Sequence, residues 1–273
     1  MLVFEILKAI ILGIVQGISE YLPISSTGHI ILVNEFLHLQ FSTGFVNTFF
    51  VVIQLGSILA VVILYFKKLW PFDFKNTTAK QRKSTWILWS KVLVGCLPAA
   101  IVGFLFDDVI DALFYNPTTI AITLIVYGIA FIIVESMHIK VTMEKVEDID
   151  YITAANIGLF QMLALIPGTS RSGSTIIGGR ILGCGKAGVS EFSFFMAVPV
   201  MAGATMLKLV KCGFAFGASE WIVLIVGTIV SFIVSIFSIK FLMNYIKKHD
   251  FKVFGVYRII LGILVLVYFG VIK

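Results

Sequence analysis

Two long stretches of this sequence contain no acidic or basic residue, and they decide the fold class. The first runs from Phe36 to Phe66 and the second from Trp221 to Ile239. The hydrocarbon core of a bilayer is about 30 Å thick, and about 20 helical residues cross it. Charged residues make up only 13% of the chain, whereas soluble domains carry about 25%. The sequence therefore predicts an all-α polytopic membrane protein.

Six apolar stretches are long enough to span a membrane: roughly 44–66, 86–106, 117–137, 189–210, 219–242 and 253–272. Two shorter apolar pieces, 2–15 and 152–166, each lead into a cluster of Pro, Gly, Ser and Thr, and a short apolar piece follows each cluster. This pattern predicts two re-entrant helical hairpins, because irregular backbone at membrane depth must lie inside protein or beside a wet cavity. Arg258, near a span end, is expected to reach the interface.

The two hairpins resemble each other in sequence. GIVQGISEYLPISSTG at 13–28 and GLFQMLALIPGTSRSG at 158–173 both open with Gly-x-x-Gln, carry a late proline and close on glycine. Three spans separate the hairpins, so the second copy enters the membrane from the opposite face. We expect one integral membrane domain over 1–273, built as an inverted-topology repeat of about 1–115 and about 116–273. The functional site of such a repeat lies where the broken segments meet.

The net charge of +6 is unevenly distributed along the chain. One loop holds Lys67, Lys68, Lys75, Lys80, Arg82 and Lys83, and another holds Lys247, Lys248 and Lys252. The predicted loop from Asp107 to Pro117 holds three aspartates and no Lys or Arg. Basic loops lie in the cytoplasm, so the charge reflects membrane orientation and not a nucleic-acid partner. The first hairpin, which precedes a span running inward to the basic loop, is then expected to open to the extracytoplasmic side.

The tip of the first hairpin concentrates reactive side chains. A carboxylate such as Glu20 costs about 2.5–3.5 kcal/mol at membrane depth, so it must be paired or hydrated. Gln16 precedes it by one helical turn, and Ser26 and His29 share a helix face. Carboxylate, hydroxyl and imidazole together suit acid–base and nucleophilic chemistry. The plainer alternatives are an interfacial carboxylate and hydroxyls that cap helices.

The tip of the second hairpin, PGTSRSGST at 167–175, surrounds Arg171 with hydroxyl groups. The planar guanidinium suits phosphate or carboxylate. Helices are expected to restart at the serines of both tips, and helix N-termini bind anions through free N–H groups and the helix dipole. A phosphate ligand or a structural pair with Glu20 would each satisfy Arg171.

QGISEYLPISSTGH with PGTSRSGST resembles the undecaprenyl-diphosphate phosphatase, or bacitracin-resistance, family of bacterial inner membranes. The resemblance continues through VVIQLGSILAVV at 51–62 and EFSFFMAVPVMAGAT at 191–205, and it covers essentially the whole chain. It implies a multi-pass hydrolase of the plasma membrane that regenerates the lipid carrier of cell-wall synthesis. The implied partners are a polyprenyl diphosphate lipid and the bilayer, and the oligomeric state stays open between a monomer and a homodimer.

The resemblance also implies residue roles. Gln16 and Glu20 match an element associated with a divalent cation, Mg²⁺ or Ca²⁺, although many members carry Glu at position 16. The metal would therefore depend mainly on Glu20. Catalysis is implied for Ser26, His29, Glu20 and Arg171, with either Ser26 or His29 as the nucleophile. Substrate binding is expected of Ser25, Thr27, Gly168, Thr169, Ser170, Ser172, Gly173 and Thr175.

The alternative function is a transporter or flippase for a polyprenyl phosphate or another anion. Inverted repeats with broken helices are the architecture of many transporters, and the same arginine and helix ends would bind an anion without cleaving it. The coincidence of Ser26, His29 and Glu20 favours an enzyme, because binding alone does not need these groups.

Overall fold

The computed structural model describes residues 2–73, 77–212 and 216–272, and the loop residue Lys75 lies outside them. Every regular element in this part of the chain is helical, and one isolated bridge joins Met143 to Cys184. The α-helices are α1 Leu2–Ser19, α2 Ser26–Leu37, α3 Thr43–Leu64, α4 Phe66–Leu69, α5 Ala79–Phe114, α6 Pro117–Ser136, α7 Tyr151–Met162, α8 Arg171–Ile181, α9 Lys186–Cys212, α10 Ala218–Tyr245 and α11 Lys252–Val267.

In the described residues, seven helices are long and apolar enough to cross a membrane, judged by length and composition. Six coincide with the predicted spans, and the all-α polytopic fold is confirmed. The seventh is α1, which extends beyond the predicted piece 2–15. The helix continues through Gln16 to Ser19 and reaches 18 residues, about 27 Å at about 1.5 Å per residue. It continues because both polar side chains are buried against protein.

Helix α5 is 36 residues long, or about 54 Å, and therefore exceeds the hydrocarbon thickness of about 30 Å. Its first turns carry Lys80, Arg82 and Lys83, and its last turns reach Asp108. The predicted loop from 107 to 117 is wrong as far as Phe114, because these residues continue the helix. A single helix thus separates a basic end from an acidic end.

The turns that lead into α2 and α8 share one backbone geometry. Each ends on a serine in the left-handed region, with a φ of 75° at Ser25 and 73° at Ser170. Each serine caps the helix that follows, because its Oγ accepts the N–H of Gly28 at 3.3 Å or of Gly173 at 3.1 Å. The predicted helix restarts at these two clusters are confirmed. Strained backbone of this kind costs about 1–3 kcal/mol and is typical of functional sites.

Glycines allow two pairs of helices to approach closely. A Cβ on Gly13 of α1 would lie 2.7 Å from the carbonyl oxygen of Gly227 in α10. A Cβ on Gly158, the matching position in α7, would lie 2.3 Å from the carbonyl oxygen of Gly95 in α5. The first helix of each hairpin therefore packs against a helix of the other predicted copy. The inverted orientation of the copies and their boundary near residue 115 stay predictions.

We expect Gly158→Ala to destabilise the protein, because the added methyl group presses on the Gly95 carbonyl and overpacking costs about 1–3 kcal/mol. The matched control is Gly203→Ala in α9, where a Cβ would meet nothing within 4 Å. The free energy of unfolding of this control should rise by about 0.5–1 kcal/mol, since alanine suits a helix interior better than glycine. Thermal unfolding in detergent measures both variants, and equal melting temperatures would contradict the close contact.

Candidate active site

The two hairpin tips meet around a cavity of about 180 Å³. Its walls include Glu20 and Ser26 from the first hairpin and Gln161 and Arg171 from the second, together with Gln54 from α3. The prediction that the two polar clusters face each other is therefore confirmed. The cavity lies where α2 and α8 begin, so two helix N-termini are beside it.

Glu20 is the centre of the hydrogen-bond network in this cavity. It is only 4% exposed, and its Oε2 accepts hydrogen bonds from Gln16 Nε2 at 2.8 Å and Ser26 Oγ at 2.9 Å. Its Oε1 accepts a hydrogen bond from Arg171 Nη2 at 3.3 Å. The carboxylate is thus paired, as the burial of a charge requires. Removing one partner of a buried ion pair costs about 3–5 kcal/mol, because the other charge is left without compensation.

Arg171 is fixed on its other side by α9. Its Nη1 donates to the backbone oxygen of Ser193 at 2.5 Å and to Ser193 Oγ at 3.2 Å. The Ser193 hydroxyl in turn lies 2.7 Å from Thr175 Oγ1. The Nε of Arg171 is buried and has no hydrogen-bond partner in the described residues. The guanidinium is therefore held in place by Glu20 and Ser193, and its Nε–H remains available to a ligand.

His29 and Ser26 each hydrogen-bond to other residues, so the predicted serine–histidine hydrogen bond is wrong. Its Nδ1 lies 2.7 Å from the backbone oxygen of Ser25, and its Nε2 lies 2.7 Å from the hydroxyl of Tyr257. The two rings stack with centroids 5.6 Å apart. Because a carbonyl only accepts, Nδ1 carries a proton, and in a neutral imidazole Nε2 would then accept the hydrogen bond from Tyr257. The imidazole folds back on the preceding turn and leaves Glu20 as the hydrogen-bond acceptor of Ser26.

The residues expected to bind substrate divide into two groups. The cavity walls include Ser25, Thr27, Gly168 and Ser170. The residues that do not appear in the described wall are Thr169, Ser172, Gly173 and Thr175. One of the second group joins the two hairpins, since Ser172 Oγ donates to the backbone oxygen of Glu20 at 3.2 Å.

Arg258 joins the same two tips from α11. It is fully buried, so the expectation that it reaches the interface is wrong. Its Nη1 donates to the backbone oxygen of Pro23 at 3.3 Å. Its Nη2 donates to the backbone oxygens of Gly168 at 2.9 Å and Thr169 at 2.7 Å. Its guanidinium carbon lies 5.5 Å from the centre of the Tyr127 ring. The backbone of both irregular tips is thereby satisfied by one side chain.

Sequence reasoning missed several residues of this site: Gln54, Gln161, Ser193, Tyr257 and Arg258. A signal existed for Arg258, because an ionisable residue within an apolar span is by default a candidate for function. A signal existed for Gln161 too, since it stands where the first hairpin has Gln16. Tyr257 and Ser193 carried no such signal, because their roles depend on contacts between distant helices.

The expected divalent cation can be compared with the donors that are present. In the described residues, no group of three or more His, Cys, Asp or Glu side chains lies close enough to hold a metal. The cavity has the Glu20 carboxylate, and beside it Gln16 Oε1 is buried without a hydrogen-bond partner. Mg²⁺ is usually held by one or two carboxylates together with substrate phosphates. This donor set fits a cation shared with a phosphate ligand.

A serine hydroxyl on a carboxylate, with an arginine beside it, lies buried between two hairpins of a multi-pass helical protein. These features define a polytopic membrane protein with an intramembrane polar site. The chain belongs to the family described as bacitracin resistance protein BacA, which matches residues 9–264.

Relatives with curated names match the chain over nearly its full length. Undecaprenyl-diphosphatase 1 of Clostridioides difficile strain 630 is 58% identical over 265 residues, covering 97% of this chain and 96% of the relative. Undecaprenyl-diphosphatase of Acetivibrio thermocellus is 56% identical over 271 residues, covering 98% and 99%. Undecaprenyl-diphosphatase of Enterococcus faecalis is 57% identical over 265 residues, covering 96% of each chain.

Proposed function

We propose that this protein is an integral membrane phosphatase that hydrolyses undecaprenyl diphosphate to undecaprenyl phosphate and inorganic phosphate. The observation that carries the proposal is the hydrogen bond from Ser26 Oγ to Glu20, in the cavity that also contains Arg171. The family and the names of the relatives support the same substrate. Recycling the carrier in this way counteracts bacitracin, in agreement with the description of the family.

Binding of the diphosphate depends on positive charge around the cavity. Arg171 is the guanidinium in the wall and has its Nε unpaired. The N-termini of α2 and α8 add two positive dipole ends, which stabilise anions. Arg258, whose hydrogen bonds in the described residues go to backbone oxygens, adds a buried positive charge beside both tips. Phosphoryl transfer depends chiefly on such positioning and charge stabilisation.

The chemical step begins at Ser26. Glu20 accepts the proton of the hydroxyl, and Oγ attacks the terminal phosphorus while the bond to the bridging oxygen breaks. Undecaprenyl phosphate leaves with the proton that Glu20 took from Ser26, so the carboxylate is regenerated and the terminal phosphoryl group remains on Ser26. A water molecule then attacks this phosphoserine and gives a proton to Glu20, which passes it to Ser26 Oγ as the bond to phosphorus breaks and inorganic phosphate is released. His29 serves as a positioning residue, because it holds the Ser25 carbonyl and does not line the cavity.

A divalent cation, Mg²⁺ or Ca²⁺, is part of the proposal. Glu20 and the unpartnered Oε1 of Gln16 would hold it together with the bound diphosphate. When bound, such an ion neutralises phosphate charge and stabilises the leaving group.

The site is proposed to open to the extracytoplasmic side of the plasma membrane. A second cavity of about 720 Å³ shares Thr27 and Gln54 with the walls of the first and extends to Asp108, at the acidic end of α5. Acidic ends of spans face away from the cytoplasm when basic loops face it. The larger cavity therefore offers a route from that surface to Ser26.

The function is tested by phosphate release from undecaprenyl diphosphate or farnesyl diphosphate, using purified protein in detergent. We expect steady turnover with Mg²⁺ or Ca²⁺ and a loss of most activity with a chelator, restored by adding the ion back. Binding of the lipid without any phosphate release would support the transporter instead. Full activity in the presence of the chelator would refute the proposed requirement for a divalent cation.

Ser26 and His29 are distinguished by substitution and by the chemistry of the trapped phosphate. We expect Ser26→Ala to reduce kcat by at least about 1000-fold, or about 4 kcal/mol, and His29→Ala to keep a slow residual rate. Label from terminally labelled diphosphate, trapped by acid quench, should resist acid and be lost in alkali, as phosphoserine is. Acid-labile label that persists in Ser26→Ala would make His29 the nucleophile.

Orientation is tested by thiol labelling in a background with Cys96, Cys184 and Cys212 replaced by alanine. A membrane-impermeant reagent should modify Asp108→Cys in intact cells, because that end of α5 is expected outside. Lys80→Cys, at the other end of the same helix, should react only after the cells are opened. The reverse pattern would place the site on the cytoplasmic side.

A further inference from the structure

Gln161 is a buried polar side chain whose hydrogen-bonding capacity is unused. It is 2% exposed, and neither its amide nitrogen nor its amide oxygen has a hydrogen-bond partner within the described residues. The Cys96 thiol lies beside Gln161 and interacts with its side chain, but sulfur is a weak acceptor and the thiol donates to the backbone oxygen of Met196 at 3.6 Å. Nearly all buried polar groups in proteins are hydrogen-bonded, so an unpaired one requires a reason.

The position of Gln161 indicates what the missing partner is. The side chain lines the same cavity as Glu20, Ser26 and Arg171. Arg171 Nε is a second buried N–H group there without a partner. Both groups belong to residues of the second hairpin region that contribute to the wall of this cavity. A ligand with anionic oxygens bound in the cavity would supply an acceptor to both.

The internal repeat shows which kind of acceptor the position is suited to. Gln161 corresponds to Gln16, as the fourth residue of the Gly-x-x-Gln that opens each hairpin. In the first hairpin, Gln16 Nε2 donates to the Glu20 carboxylate one helical turn later. The second hairpin has Leu165 at the position of Glu20, and Leu165 also lines the cavity. The second hairpin therefore retains the glutamine amide but has no carboxylate one helical turn later to accept its hydrogen bond.

We propose that Gln161 is a substrate-binding residue, whose Nε2 donates a hydrogen bond to an oxygen of the bound diphosphate. The diphosphate takes the place that a carboxylate holds in the first hairpin, and Arg171 Nε donates to the same anion. The inference rests on the proposed function, because it takes the diphosphate as the ligand of this cavity. The second hairpin then provides two hydrogen-bond donors to the diphosphate, the neutral amide of Gln161 and the charged guanidinium of Arg171.

Gln161→Met tests the proposal, because methionine keeps the length of the side chain and removes both polar atoms. Without ligand, we expect a melting temperature equal to or above that of the wild type, since an unpaired buried group is lost. With substrate, we expect KM for farnesyl diphosphate to rise about tenfold, as for one lost hydrogen bond to a charged group. The rise in melting temperature caused by inorganic pyrophosphate should shrink accordingly.

Cys96→Ala is the matched control, because it alters packing beside Gln161 without touching the cavity wall. It should lower the melting temperature and leave KM and the pyrophosphate effect as in the wild type. Wild-type KM and wild-type pyrophosphate stabilisation in Gln161→Met would overturn the proposal and leave Gln161 bonded to water only. A fall in kcat with accumulated phosphoenzyme and unchanged KM would overturn it too, in favour of water positioning. Failure of the wild type to release phosphate would refute the proposed function instead.

Discussion

The active site depends on the hydrogen bonds that Arg258 makes to the backbone of both hairpin tips. Irregular backbone at membrane depth needs donors for its free carbonyl groups, and a guanidinium supplies several from one rigid plane. Arg258 and Pro23 are 235 residues apart in the chain. By joining Pro23 to Gly168 and Thr169, this side chain brings the starts of α2 and α8 together. The contact between Glu20 and Arg171 follows from that arrangement.

Features that depend on local chemistry were predicted well from the sequence. The six spans follow from apolar length, and the helix restarts follow from serines that can cap a helix three residues before a glycine. The two matching tips were expected to face each other, and a pair with Glu20 was one of the two alternatives for Arg171, because a charge is too costly to bury alone. The structure places Arg171 Nη2 3.3 Å from Glu20 Oε1. The polar core of the site was thus accessible from residue type and spacing.

Features that depend on contacts between distant helices could not be predicted in the same way. Spacing along α2 placed His29 near Ser26, yet the imidazole is held by Tyr257, 228 residues later in the chain. The length of α1 was underestimated because a polar residue normally ends an apolar span, and burial of Gln16 against Glu20 removes that limit. The orientation of His29 and the length of α1 both depend on side-chain contacts that spacing along one helix does not reveal.

The packing of α1 against α10 determines how the chain must assemble during synthesis. Ser235 of α10 donates to the backbone oxygen of Gly17 in α1, and these residues are 218 positions apart. A ribosome adds about 5–20 residues per second, so α1 has to wait on the order of ten seconds or more for its partner. Glu20 lacks Arg171 for most of that interval, because the two residues are 151 positions apart, and Arg258 is made only after Ser235. A membrane insertase or chaperone that binds the first hairpin would therefore reduce the time for which its polar side chains are exposed to lipid before synthesis is complete.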